Sequence, residues 1–89
     1  MTYHCSLSTP QRSFVYGDVD RVDIAGAQGD FVAMAGHGLL FTPLREGVIR
    51  VHRSGGGAVT TYHVTGEGYA HVAQHGCIIM AHGLTERAS

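Results

Sequence analysis

The sequence predicts a small all-β protein, an antiparallel β-sandwich of about ten short strands. Three observations favour this fold class. Turn-forming residues recur roughly every 7–11 residues, short apolar segments alternate with polar residues at the period of a strand, and no long segment has apolar residues at helical spacing. With 89 residues, of which 44% are hydrophobic, the chain forms one compact domain and no more.

The first three predicted strands are separated by proline and glycine. Residues 3–8 form a strand that stops before Pro10, since proline cannot donate a hydrogen bond to a sheet. Residues 12–16 form the next strand and end at Gly17, which begins a turn with the following aspartate. Residues 19–24 alternate apolar and charged side chains, as expected of a strand with one buried face.

The stretch 26–42 is the most informative part of the sequence. It reads as a loop, a strand, a tight turn and a second strand, because glycines punctuate two short apolar segments at Gly26, Gly29, Gly36 and Gly38. In the apolar segment 39–41, strand alternation predicts that about half of the side chains belong to the core.

The clearest hairpin joins residues 48–53 to residues 58–64 through a glycine-rich loop. In this register Arg53 pairs with Ala58, so that His52 faces Val59 and His63 faces Val48. Further turns introduce strands at 68–73 and 77–81. The last of these is apolar on consecutive residues, which predicts that both of its faces are covered.

The predicted domain spans residues 1–84, and residues 85–89 form a short tail that resembles the start of a helix at Thr85. The formal net charge is −1, and the six basic residues are scattered arginines, so the sequence offers no basic surface for nucleic acid. No run of 18 apolar residues predicts a membrane span, and the N-terminus does not read as a secretion signal. Cys5 and Cys77 are interpreted as small core residues rather than a disulfide.

Seven histidines invite a search for a metal or catalytic site. If Val64 pairs with Gly68 across the next turn, His63 lies diagonally opposite His71 at roughly 7–8 Å. A metal-binding β-sandwich or cupin-like protein that uses this pair and another histidine is therefore the alternative function. No His-x-His motif supplies the third ligand, no nucleophile motif accompanies His37, and the sequence predicts no catalytic site and no cofactor.

With the strands in place, the chain resembles the N-terminal β-sandwich of the epsilon subunit of F-type ATP synthases, which is called delta in mitochondria. The resemblance covers about residues 3–82 and rests on five blocks with their spacing kept: Phe-Val-Tyr-Gly-Asp-Val at 14–19, the glycine-rich stretch 25–42, Leu-Arg-Glu-Gly at 44–47, Tyr-His-Val-Thr-Gly-Glu-Gly at 62–68 and Ile-Met-Ala-His at 79–82. Prolines of the family signature are replaced here by Ala25, Ala35, Leu39 and Glu46. The sequence ends where the family continues into a helical hairpin, so the inhibition and ATP binding associated with that hairpin are not expected.

The resemblance implies a non-catalytic rotor part of the central stalk that couples the gamma subunit to the c-ring during proton-driven ATP synthesis. It implies a peripheral location on the cytoplasmic face of the bacterial inner membrane, reached only through the complex, and nothing favours a homo-oligomer. By position, the c-ring contact falls on Gln28, Gly29 and Asp30, and the gamma contact falls on Gly36, His37, Gly38 and Thr42.

Overall fold

The computed structural model describes residues 3–36 and 38–87, and the regular structure in these two ranges is entirely β. The all-β prediction is therefore confirmed. The strands are β1 (Tyr3–Ser8), β2 (Ser13–Ile24), β3 (Phe31–Ala33), β4 (Leu40–Pro43), β5 (Gly47–Arg53), β6 (Val59–Val72) and β7 (Gly76–Arg87).

Five of the strands pair in a closed ring, in the order β1, β7, β6, β5 and β2, with β2 returning to β1. β3 adds to β2, and β4 adds to β6. All pairings are antiparallel except that of β1 with β7, so the sheet is mixed rather than wholly antiparallel as predicted. A closed ring leaves its long strands without a free edge, which makes a small sandwich stiff and protects it from edge-to-edge association.

Three long strands, β2, β6 and β7, each serve both layers of the sandwich. The first half of β6 pairs with β5, and its second half pairs with β4. Between these halves the register with β7 shifts, at a bend where Gly66 has a φ of +74° and a Cβ on Gly68 would lie 2.6 Å from the Met80 carbonyl oxygen. Glycine is required at both positions, by backbone conformation at the first and by close approach at the second.

These bends explain why the prediction of about ten strands was wrong. Residues 12–16 and 19–24 were expected to be separate strands and instead lie in β2. The predicted strands at 58–64 and 68–73 merge into β6 in the same way. β7 continues through residues 85–87, so these residues extend the sheet and do not begin a helix at Thr85.

The core lies inside the ring and follows the alternation of the strands. The largest fully buried side chains include Tyr3, Leu7, Ile49, Tyr62 and Ile79. Burial raises the pKa of Tyr62, and its hydroxyl group shares a hydrogen bond with that of Tyr16, so the ring stays neutral and its polar end is satisfied. The expectation that both cysteines are core residues is confirmed, because Cys5 and Cys77 are buried and unbonded.

Candidate functional site

The two layers of the sandwich have outer faces of different chemistry. On the layer built around β5, one row of outward side chains runs from Asp23 through Arg50 and Thr61 to Arg87 across four strands. The next row includes His63 and Thr85. We call this surface the polar face, and its composition is that of an ordinary solvated sheet surface.

The outer face of the other layer is apolar. The pairings of β4, β6, β7, β1 and β2 align its side chains in two rows, the first being Phe41, His71, Ile78, Ser6 and Val15, and the second Pro43, Tyr69, Met80, Ser8 and Ser13. We define the apolar face by its five large hydrophobic residues, which are 46% to 76% exposed: Val15, Phe41, Tyr69, Ile78 and Met80. Contiguous apolar surface of this kind marks a site of interaction on a folded domain.

Aromatic rings form one side of the apolar face. The Phe41 ring on β4 stacks against Tyr69 on β6 with 5.7 Å between ring centroids and 28° between planes. The same Phe41 ring lies 5.9 Å from the imidazole of His71, centroid to centroid. Pre-positioned aromatic groups lose little conformational freedom on binding, which is why such groups are frequent at the energetic centres of interfaces.

Most of the apolar face was not identified from the sequence. Residues 77–81 were expected to be covered on both sides, but only Cys77, Ile79 and Ala81 are buried, while Ile78 and Met80 point outward. In the segment 39–41 half of the side chains were expected in the core, and all three are exposed. The sequence does show these segments as runs of consecutive apolar residues, but the runs were interpreted as side chains buried within this chain rather than as an exposed apolar surface.

The loop between β2 and β3 contains the predicted c-ring contact, and Gln28, Gly29 and Asp30 are all exposed on it. Gly29 has a φ of +138°, and its N–H donates to the carbonyl oxygen of Gly26 at 3.2 Å, which closes the turn. A carboxylate oxygen of Asp30 lies 2.5 Å from a guanidinium nitrogen of Arg45, so this acid already has a partner in its own chain.

Further groups from other segments lie next to this loop. The N–H of Gly66 donates to the Glu46 carboxylate at 3.0 Å, and the Arg45 guanidinium donates to the Glu46 carbonyl oxygen at 3.3 Å. The result is an exposed end of the sandwich with mixed charges held in place by backbone hydrogen bonds. Both side chains of the Asp30–Arg45 pair are exposed, so the pair adds little to stability but defines the local charge.

The residues predicted to contact gamma are placed separately from one another. Gly36 and Gly38 are exposed in the loop between β3 and β4, where the Gly36 N–H donates to the Gln74 carbonyl oxygen at 3.2 Å. Thr42 is half-buried and pairs with the buried Ala70, so it lies on the inner side of β4 while its neighbour Phe41 lies on the outer side. His37 lies outside the described residues.

The geometry contradicts the proposed proximity of His63 and His71. Both lie on the continuous strand β6, eight positions apart and on either side of its bend at Gly66, so that His63 is on the polar face and His71 is on the apolar face. The register predicted for the hairpin is confirmed, since Val48 pairs with His63 and His52 pairs with Val59. His52 instead meets the Asp23 carboxylate, with 2.8 Å between Nε2 and Oδ2.

Among residues 3–36 and 38–87, no three histidine, cysteine or acidic side chains cluster closely enough to hold a metal ion. The same ranges contain no helix long and apolar enough to cross a membrane.

Comparison with known families gives one clear result. Residues 2–87 match the family model described as ATP synthase, Delta/Epsilon chain, beta-sandwich domain. An ATP synthase epsilon chain from Rhodopseudomonas palustris (strain HaA2) is 38% identical over 87 residues, which are 98% of this chain and 62% of that relative. An epsilon chain from Caulobacter vibrioides is 38% identical over 85 residues, which are 96% of this chain and 95% of the relative. The chain thus spans about three fifths of the R. palustris relative and nearly all of the C. vibrioides relative.

Two solved structures show the same fold at low sequence identity. A chain of the Euglena gracilis mitochondrial ATP synthase, in a structure of OSCP, F1 and the c-ring, superposes with a TM-score of 0.84 at 21% identity, covering 96% of this chain and 53% of that chain. A chain of the Tetrahymena thermophila mitochondrial ATP synthase, in a structure of the central stalk and c-ring, superposes with a TM-score of 0.72 at 13% identity, covering 96% and 66%.

Proposed function

Since the chain belongs to the ATP synthase delta/epsilon chain family, we propose that it is the non-catalytic central-stalk subunit of an F-type ATP synthase, which links the gamma subunit to the c-ring during proton-driven ATP synthesis. The proposal includes a peripheral position on the cytoplasmic face of a bacterial inner membrane, reached through the complex. The structural observation that carries it is the apolar face, because a coupling subunit needs one static contact with each neighbour.

The apolar face is the surface that we assign to the gamma subunit. It spans five strands of one layer, and its side chains are fixed by the sheet rather than carried on loops. Gly36 and Gly38 lie in the loop that precedes Phe41 at the edge of this face, and Thr42 follows Phe41 on the inner side of β4. We keep these three residues and His37 in the proposed gamma contact. A static contact of this kind has an apolar centre and polar positions at its edge, and Ser8 and Ser13 at the end of the second row provide such positions.

The end of the sandwich formed by Gln28, Gly29 and Asp30 is the surface that we assign to the c-ring. These residues are exposed and polar, and the turn that holds them is fixed by Gly26 and Gly29. Asp30 contributes a negative charge that Arg45 partly balances, so a basic group on the c-ring would compete with or share this acid.

Co-purification with the gamma subunit of the same cell tests the proposed function. A tagged chain is expected to retain gamma in a one-to-one complex after washing at moderate salt, because an interface centred on apolar side chains is only weakly screened. If the chain fails to retain gamma at every salt concentration tested, the proposal is contradicted.

Charge reversal at Asp30 is expected to weaken attachment of the rotor to the c-ring. Asp30→Arg places two arginines side by side, since Arg45 lies 2.5 Å from the present carboxylate, and it presents positive charge to the ring. The binding partners in this experiment are the complex of this chain with gamma and the purified c-ring. We expect their affinity for each other to fall about tenfold at low salt and less at high salt. Binding is measured by sedimentation of the complex with detergent-solubilised c-ring.

The matched variant is Arg45→Gln, which removes the partner of Asp30 and leaves the acid in place. If Asp30 acts on the c-ring, this variant retains or increases the affinity. Equal weakening in both variants would show that the ion pair matters only for the shape of the loop, and unchanged binding of Asp30→Arg would remove this end from the c-ring contact.

A further inference from the structure

Cys5 and Cys77 form a buried thiol pair that the proposed function does not use. They lie directly opposite each other on β1 and β7, the one parallel pairing of the sheet, with 3.7 Å between the Sγ atoms. Their side chains are 1% and 4% exposed, and no bond joins them. The two residues are 72 positions apart in the chain, so a bond between them would link the first strand to the last.

The backbone geometry suits a disulfide at this position. Neighbouring strands of a sheet lie about 4.7–4.9 Å apart, which falls inside the Cα separation of roughly 4.4–6.8 Å that disulfides adopt. The sulfur atoms need to close from 3.7 Å to about 2.05 Å, which takes side-chain rotation and a small approach of the two strands, since the Cβ atoms of a disulfide lie about 3.5–4.5 Å apart. The pair therefore differs from two core cysteines that merely share a cavity.

The electrostatics of the pair favour one attacking sulfur. The pKa of Cys77 is lowered because its hydrogen bond with Cys5 stabilises the thiolate, although burial opposes this effect. The pKa of Cys5 is raised by the same hydrogen bond and by burial. Since the thiolate is the nucleophile in thiol–disulfide exchange, the direction of the two shifts favours Cys77 as the attacking residue.

The two thiols are reached through local opening of the sheet. A hollow on the apolar side of the molecule is lined by His4, His71 and His75, but by strand alternation the side chains of Cys5 and Cys77 point to the opposite, inner side of β1 and β7. Opening of β1 breaks its pairing with both β2 and β7 and exposes the two sulfurs together.

We propose that Cys5 and Cys77 are a reversible redox pair that a small-molecule disulfide oxidises to an intramolecular disulfide joining β1 to β7. The Cys77 thiolate attacks one sulfur of the oxidant, forms a mixed disulfide and releases one thiol of the oxidant. The Cys5 sulfur, losing its proton, then attacks the Cys77 sulfur, forms the Cys5–Cys77 bond and releases the second thiol. Two electrons pass from the protein to the oxidant, and the two protons end on the two released thiols.

The expected consequence of oxidation is a more stable fold, because the disulfide links the first strand of the ring to the last. A bond across 72 positions removes much of the conformational freedom of the unfolded chain, so the oxidised form unfolds at a higher temperature than the reduced form. We expect the unfolding midpoint to rise by about 10 °C or more on oxidation and to return on reduction with dithiothreitol.

The test exposes the folded chain of 89 residues to oxidised glutathione at a temperature well below its unfolding midpoint. The expected product has lost two hydrogens by mass, retains no titratable free thiol and melts at the higher temperature. Cys5→Ser and Cys77→Ser serve as controls, and each is expected to give at most a mixed disulfide with glutathione and no rise in midpoint.

Two results would overturn the proposal. One is a folded wild-type chain that keeps both thiols reduced under excess oxidised glutathione and reacts only after denaturation. The other is a wild-type chain that stops at the mixed disulfide. Because the wild-type protein carries both readouts, the conclusion stands even if a serine variant fails to fold.

Discussion

Replacement of Ile78 by aspartate is expected to weaken binding of the gamma subunit by a factor of about 100 or more and to leave the fold intact. Ile78 lies in the middle of the apolar face, between His71 and Ser6 in the row that crosses five strands. A carboxylate at this point would have to lose its water in an apolar interface, at a cost of about 3 kcal/mol, which corresponds to a hundredfold change in affinity. The free chain tolerates the change because the side chain points to solvent.

Isothermal titration of gamma with the variant measures this effect, and thermal unfolding of the variant alone confirms that it folds. The matched control is Val48→Asp, which makes a similar change on the polar face, where Val48 pairs with His63. Its affinity for gamma is expected to stay within about threefold of the wild type. Equal losses in the two variants would contradict the assignment of the apolar face.

Truncation of the next residue, Ile79→Ala, is expected to destabilise the fold, whereas Ile78→Asp is expected to weaken binding of gamma and leave the fold intact. Ile79 is fully buried inside the ring, and its loss creates a cavity that lowers the free energy of unfolding by about 3–4 kcal/mol. A domain of this size has little stability to spare, so the unfolding midpoint should fall by roughly 15 °C or more. Urea denaturation followed by circular dichroism measures the change.

The neighbouring variant Ile78→Ala is the control for Ile79→Ala, since it removes the same atoms from the outward side of the same strand. Its free energy of unfolding is expected to change by less than about 1 kcal/mol. If both truncations cost the same, the division of β7 into an inner and an outer side would be wrong. Variants of these two neighbouring isoleucines therefore distinguish the side of β7 that stabilises the fold from the side that we assign to gamma binding.

Local patterns predicted the fold class and the best hairpin but not the length of the strands. The register of the hairpin, with Val48 opposite His63, followed from alternation around a glycine-rich loop and is confirmed. At Gly17 and Gly66 the same kind of signal was interpreted as a chain reversal, whereas β2 and β6 continue through both positions. A glycine marks a special backbone conformation, but whether the chain bends or reverses there depends on a partner strand distant in sequence.

The site was harder to predict than the fold for a related reason. Strand alternation shows which side chains share a face, but it does not show what covers that face. Ile78 and Ile79 are the same residue type side by side, and the first is exposed in this chain while the second is buried. The apparent histidine pair failed because it depended on a turn after Val64 that does not exist.

The most direct test of the assigned docking surface is photo-crosslinking from single positions in the presence of gamma. The crosslinker p-benzoylphenylalanine replaces Ile78 on the apolar face in one variant and the exposed His63 on the polar face in another. Irradiation of each complex is expected to join gamma to the chain from position 78 and not from position 63. Crosslinking from position 63 with none from position 78 would contradict the account.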